Sequence, residues 1–170
     1  MPLPPDTREF IQRWRKKREA YDLQKLEDCF DRFFTSYVLY NFLYELVALR
    51  EGFQFDGDQE AAVKAARKFL GAEMLFADEI LQRESKLLIG LIEQRTFYVR
   101  DTVWDTERVA KLKTQHPEQW SKALLEVVYK IRCNTFHGQK RFEERQRQIL
   151  DPCIRVLERL NDKLIAKLDA

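Results

Sequence analysis

Phe33-Phe34-Thr35-Ser36-Tyr37-Val38-Leu39-Tyr40-Asn41-Phe42-Leu43-Tyr44-Glu45-Leu46-Val47 is the stretch on which the fold turns. Taken with the residues before it, Leu23, Leu26, Phe30, Phe33, Tyr37, Tyr40, Tyr44 and Val47 follow one another in steps of three and four. That spacing lines one face of an α-helix over many turns. Phe34, Val38, Phe42 and Leu46 widen the apolar face. A helix so apolar must pack against several partners or against a second subunit. Asn41 interrupts the run as either a buried hydrogen-bonding group or a site residue, and a buried amide needs a partner. The pattern stops at Glu51-Gly52, where glycine can take the left-handed conformation that ends a helix.

Toward the N-terminus, Asp6-Thr7-Arg8-Glu9 reads as a capping box for a helix to about Tyr21. Residues 1–22 form an N-terminal helical extension on this reading, and residues 23–170 the main domain. Toward the C-terminus, Phe53 to Gly57 is a loop and Asp58 caps a short helix through Phe69, closed by Gly71. Met74, Leu75, Ile80, Leu81, Leu87, Leu88, Leu91 and Ile92 mark another helical pattern. Arg95 to Thr106 breaks periodicity and reads as irregular, followed by a short helix from Thr106 to Gln115. Pro117 suits the first position of a helix carrying Trp120, Leu124, Val127 and Ile131. A final amphipathic helix follows Gly138, with Pro152 either kinking it or marking its start. The expected architecture is all-α, a bundle of about five to seven helices.

The 170 residues carry 45% apolar and 34% charged side chains, with five glycines and five prolines. So few breakers favour long helices, and one domain of this size can bury its own core. Net charge is +2, so a polyanion partner is not implied by total charge. Arg13, Arg15, Lys16, Lys17 and Arg18 form a basic run that reads as a solvated helix face. Cys29, Cys133 and Cys153 are odd in number and widely spaced, which points to a reducing cytoplasm and away from a zinc site. Met1-Pro2-Leu3-Pro4-Pro5 is too short and wrongly built for a secretion signal. No apolar stretch is long enough for a bilayer, so no membrane association is expected. No metal and no cofactor motif is present.

Chemistry concentrates in Ile131-Arg132-Cys133-Asn134-Thr135-Phe136-His137-Gly138-Gln139-Lys140. A fixed cation beside a group that titrates near neutral pH suits phosphate chemistry. On a continuous helix, Arg132 and His137 would lie about 140° apart. A helix ending near Thr135 or Phe136, with Gly138 turning the chain, would let His137 swing back toward Arg132. Lys130, Lys140, Arg141 and Arg145 lie around the motif and are candidate RNA contacts.

Arg132-Cys133-Asn134-Thr135-Phe136-His137-Gly138 resembles the signature of HEPN (higher eukaryotes and prokaryotes nucleotide-binding) domains: arginine, four to six residues, histidine. Phe33 to Tyr44 resembles the aromatic-rich first long helix of those domains, with Asn41 as the polar residue facing the motif. The resemblance implies a metal-independent endoribonuclease working as a homodimer, belonging to a toxin–antitoxin or phage-defence system, with an antitoxin or inhibitor protein as a further partner. It also implies the alternative of a catalytically silent module that binds RNA, nucleotide or a partner protein. Where the toxins paired with small nucleotidyltransferases carry a tyrosine two residues after the histidine, this chain has Gln139, which weakens the expectation of that pairing.

In the expected chemistry, His137 serves as acid or base, its ordinary pKa being about 6.5. Arg132 offers its fork to the phosphate oxygens, where charge accumulates. Asn134 orients the imidazole or donates to phosphate, and Asn41 donates from the facing helix. A two-fold dimer would bring two histidines to one phosphate. A third reading is a plain helical interaction protein using the Leu23–Val47 seam.

Overall fold

The computed structural model describes residues 3–95, 97–136 and 143–170. Among these the chain is all-helical: α1 (Pro5–Glu19), α2 (Leu26–Glu51), α3 (Asp58–Leu70), α4 (Ala72–Phe76), α5 (Glu79–Glu93), α6 (Thr102–Leu112), α7 (Pro117–Phe136) and α8 (Glu144–Asp169). The bundle is built on α2 and α8, each 26 residues and therefore about 39 Å long. α1 covers one flank of α2, α5 lies along α8, and α7 is held by α3, α4 and α6.

The tyrosine-rich seam is the inner face of α2. Cys29, Phe33, Leu39, Leu43 and Val47 have no exposed surface, and Tyr37, Tyr40 and Tyr44 have almost none. α8 answers with Ile154, Leu157, Leu160, Leu164 and Leu168, all fully buried. Between the two helices the Asn161 amide, itself fully buried, donates to the Ser36 carbonyl at 3.0 Å. Arg32 of α2 holds Glu158 of α8 at 2.7 Å, and Arg50 donates to the Leu168 carbonyl at 2.7 Å. These pairings advance together along both helices, so α2 and α8 run in the same general direction.

Several boundaries differ from the sequence expectation. Pro5, not Asp6, opens α1; Pro4 precedes it and no side chain caps it. Proline has no amide hydrogen to satisfy, so it takes the first position and moves Asp6 into the first turn. The apolar pattern from Met74 to Ile92 is two helices, divided at Asp78. Its carboxylate accepts from the Leu81 amide at 3.1 Å and meets Arg159 and Lys163 of α8, each at 2.8 Å. α6 begins at Thr102, because Asp101 caps it by accepting from the Trp104 amide at 2.9 Å. Pro152 lies inside α8 and not at its start. Its missing N–H leaves one turn without its bond to the carbonyl four residues back.

Residues 1–22 contribute α1, whose Ile11, together with the preceding Leu3, enters the core. Arg18 departs from the solvated-face expectation. Its side chain is 6% exposed and meets Glu158 and Asp162 of α8. No helix among the described residues is long and apolar enough to cross a membrane.

Leu43 and Leu49 share α2, yet Leu43 is sealed and Leu49 is 82% exposed. Leu43→Ala is expected to cost about 2–5 kcal/mol of stability, and Leu49→Ala under about 0.5 kcal/mol. Urea unfolding midpoints at constant slope check both values.

Candidate functional site

α7 delivers its last described turn against the first half of α2. Phe136 packs on Phe33, Phe34 and Tyr37 with ring centroids 6.2, 5.0 and 6.0 Å away. One turn earlier, the Arg132 guanidinium lies 5.0 Å from the Tyr37 ring, 5.1 Å from Phe136 and 5.8 Å from Tyr129. Three aromatic faces around one guanidinium favour the cation and restrict its orientation. The Arg132 side chain is 26% exposed, so the fork is sheltered but reachable.

Asp58 closes the cradle. It lies at the first position of α3, with Gly57 preceding it at φ 94°. Sequence reasoning gave Asp58 a helix cap; instead its carboxylate turns toward α2 and α7. One oxygen accepts from the Tyr129 hydroxyl at 3.1 Å and lies 3.8 Å from Arg132. The other accepts from the Tyr44 hydroxyl. At 3.8 Å the ion pair is too long for a hydrogen bond. The Arg132 Nε finds no acceptor among the described residues.

Asn41 joins this group through Tyr44, whose hydroxyl also touches the Asn41 carbonyl oxygen; the Asn41 amide donates to Glu45 at 3.0 Å. A hydroxyl has one proton to give, and the Asp58 carboxylate is the stronger acceptor. Arg132, Asp58, Tyr129 and Tyr44 therefore form one polar cluster, and Asn41 lies in contact with its Tyr44 edge.

The other candidates fall elsewhere. Asn134 donates to the Val99 carbonyl. The Val99 amide in turn donates to Asp105 at 2.9 Å, so Asn134 anchors the segment entering α6. Two helix positions correspond to about 200°, which puts both Asn134 and Lys130 across α7 from Arg132. Asn134, expected to orient the imidazole or donate to phosphate, thus lies on the Val99 side of α7, away from the Arg132 cradle. Arg145, near the start of α8, is paired with Glu143 at 2.6 Å. His137, Lys140 and Arg141 lie outside the described residues. Trp104 is stacked by Arg108 at 4.8 Å. Cys133 is half-buried, while Cys29 and Cys153 are buried thiols. No cluster among the described residues has the donor set of a metal site.

Burial keeps the phenols of the cluster neutral. Burial pushes the Tyr44 and Tyr129 hydroxyls well above the ordinary phenol range, and donation to Asp58 adds to the shift. Burial likewise raises Tyr37. Burial works against the Arg132 charge, but the Cys133 sulfur, Tyr37 and Asp58 outweigh it, so its pKa ends above the ordinary value. The site therefore presents two neutral phenol donors and a permanent guanidinium.

Sequence reasoning missed Asp58, Tyr129, Tyr37 and Tyr44 as site residues. Two signals were readable: Tyr129 precedes Arg132 by three positions, and Tyr37 and Tyr44 are seven apart on one face of α2. No protein-family model, no curated protein and no solved structure matches the chain.

The raised phenol pKa values carry a sign. In the unfolded chain tyrosine loses its proton near pH 10, while the folded protein retains it. The resulting stabilisation is fully present below about pH 10 and is lost as pH rises toward the folded value. Unfolding midpoints of the wild type should be unaffected by these phenols between about pH 8 and pH 10 and should fall steeply above about pH 10. The fall should be shallower for the Tyr44→Phe, Tyr129→Phe double variant, which carries two fewer shifted phenols.

Proposed function

We propose that this chain is a HEPN-like, metal-independent endoribonuclease acting in the cytoplasm as a homodimer, in a toxin or phage-defence role. The observation that carries the reading is the Arg132 guanidinium, oriented by Tyr37, Tyr129 and Phe136 in the final described turn of α7. His137 follows that turn directly in sequence. A planar fork held in place before substrate arrives stabilises the charge of a pentacoordinate phosphorane without reorganising during the reaction.

The step needs no outside reactant. His137 of one protomer removes the 2′-hydroxyl proton, and the 2′-oxygen bonds to phosphorus. The bond to the 5′-oxygen breaks, and that oxygen takes a proton from the second protomer's histidine. The products are a 2′,3′-cyclic phosphate and a 5′-hydroxyl. Arg132 pairs with the nonbridging oxygens. Tyr129 and Tyr44 keep Asp58 turned toward Arg132.

Wild type, incubated with single-stranded RNA in EDTA, should cleave and leave cyclic-phosphate ends. His137→Ala and Arg132→Ala should each slow cleavage by about a hundredfold or more while still unfolding cooperatively in urea, as folded proteins do. Unchanged rates in both folded variants would remove these residues from the mechanism.

A second reading, a silent RNA- or nucleotide-binding module, is favoured by Asp58, whose carboxylate stands 3.8 Å from Arg132 on ground a phosphate would use. Asp58→Asn should then tighten RNA binding by up to about fivefold, the scale of a partly exposed ion pair. Fluorescence anisotropy at fixed salt measures it. Unchanged affinity would mean that no phosphate competes with Asp58.

A further inference from the structure

We propose that Phe34 and Phe136 form a stacking ledge for one unpaired base of a single-stranded RNA whose phosphate lies on Arg132. The inference rests on the reading of Arg132 as a phosphate fork and adds the form of the substrate.

Phe34 is 47% exposed, although its neighbour Phe33 is fully buried. Consecutive helix positions lie about 100° apart, so the same stretch of α2 sends one ring into the core and the next toward solvent. The exposed ring is not isolated. It meets Phe136 at 5.0 Å with the planes inclined by 52°. Phe136 is braced from behind by Phe33 and Tyr37. The Arg132 guanidinium touches that same Phe136 ring at 5.1 Å. An exposed aromatic ring and a phosphate-pairing cation thus both rest on one side chain, Phe136.

The pairing matches the two halves of a nucleotide. Single strands are held by aromatic faces under the bases and cations along the backbone. A duplex hides its base faces, so this ledge selects an unstacked nucleotide. A protein partner fits less well. Among the described residues, Leu49 is the other large apolar side chain exposed on α2, and at fifteen positions from Phe34 it is about 22 Å away. Among the described residues of α2, Phe34 is therefore an aromatic point beside a charge and not part of a contiguous apolar patch of the kind that marks a protein interface.

The test uses the full chain in EDTA, a fluorescein-labelled single-stranded RNA of mixed adenines and uridines, its duplex form, and AMP as competitor. Phe34→Ala should weaken single-strand binding about tenfold, in keeping with one lost stack. Phe34→Trp should match or exceed wild type. Duplex binding should be weak in wild type and indifferent to both changes. Phe34→Ala binding the single strand as tightly as wild type would overturn the ledge. So would a Phe34→Ala shift from dimer to monomer by light scattering, which would make the ring a subunit contact. AMP displacing the RNA at equal concentration would make the occupant a free nucleotide and overturn the single-strand assignment. If Phe34→Ala loses affinity but wild type never cleaves, the ledge stands and the ribonuclease falls. If wild type cleaves and Phe34→Ala binds and cleaves unchanged, the ledge alone falls.

Discussion

A buried amide sets how the two long helices meet. Asn161 has no exposed surface and gives its proton to the Ser36 carbonyl. Without that acceptor the donor would be stranded in the core, at a cost of about 1–3 kcal/mol. Sliding α8 by one turn would strand it. The same slide would separate Arg32 from Glu158, a pair made through two contacts at 2.7 and 3.2 Å. Apolar packing between α2 and α8 supplies most of the stabilisation, but leucines slide past one another more readily than a buried amide does. The register chosen by Asn161 decides which face of α2 remains for α3 and α7.

That remaining face carries Tyr37, Tyr40 and Tyr44, and it makes the polar cluster possible. Tyr40 gives its proton to the Ala62 carbonyl of α3, and Tyr44 reaches the Asp58 carboxylate at the start of the same helix. α3 is thereby seated so that Asp58 faces Arg132 across the groove to α7. The aromatic rings around Arg132 attract its charge without neutralising it. The Asp58 carboxylate is near enough to orient the guanidinium and too far to saturate it. A cation held in this way can exchange a weak internal partner for a stronger external anion.

The helical class, the extent of α2, the glycine stop at Gly52 and the proline start at Pro117 were legible, because each follows from local periodicity or backbone restriction. Gly52 does take a left-handed φ of 67°. The division at Asp78 was not legible, since the apolar spacing continues across it. What interrupts the helix there is an aspartate whose second oxygen is claimed by two cations of α8. Asp58 was misread for a related reason. An aspartate at a helix start usually caps, and only the nearby Tyr44 and Tyr129 hydroxyls make another orientation better. Asn134 looked like a member of the motif because it is close in sequence, but helical rotation turns it toward Val99.

By itself the chain order determined the helices, the apolar face of α2 and the placement of Arg132 on the helix that Pro117 begins. These are properties of nearest neighbours along the backbone, where spacing and torsional preference suffice. The tertiary structure alone decided that Arg132 meets Tyr37 and Asp58, that Asn41 lies in contact with the Tyr44 edge of that cluster, and that Phe34 stands in solvent while Phe33 does not. Those outcomes depend on how α2, α3 and α7 are seated against α8, and that seating is settled by burial and hydrogen bonding between residues far apart in the chain.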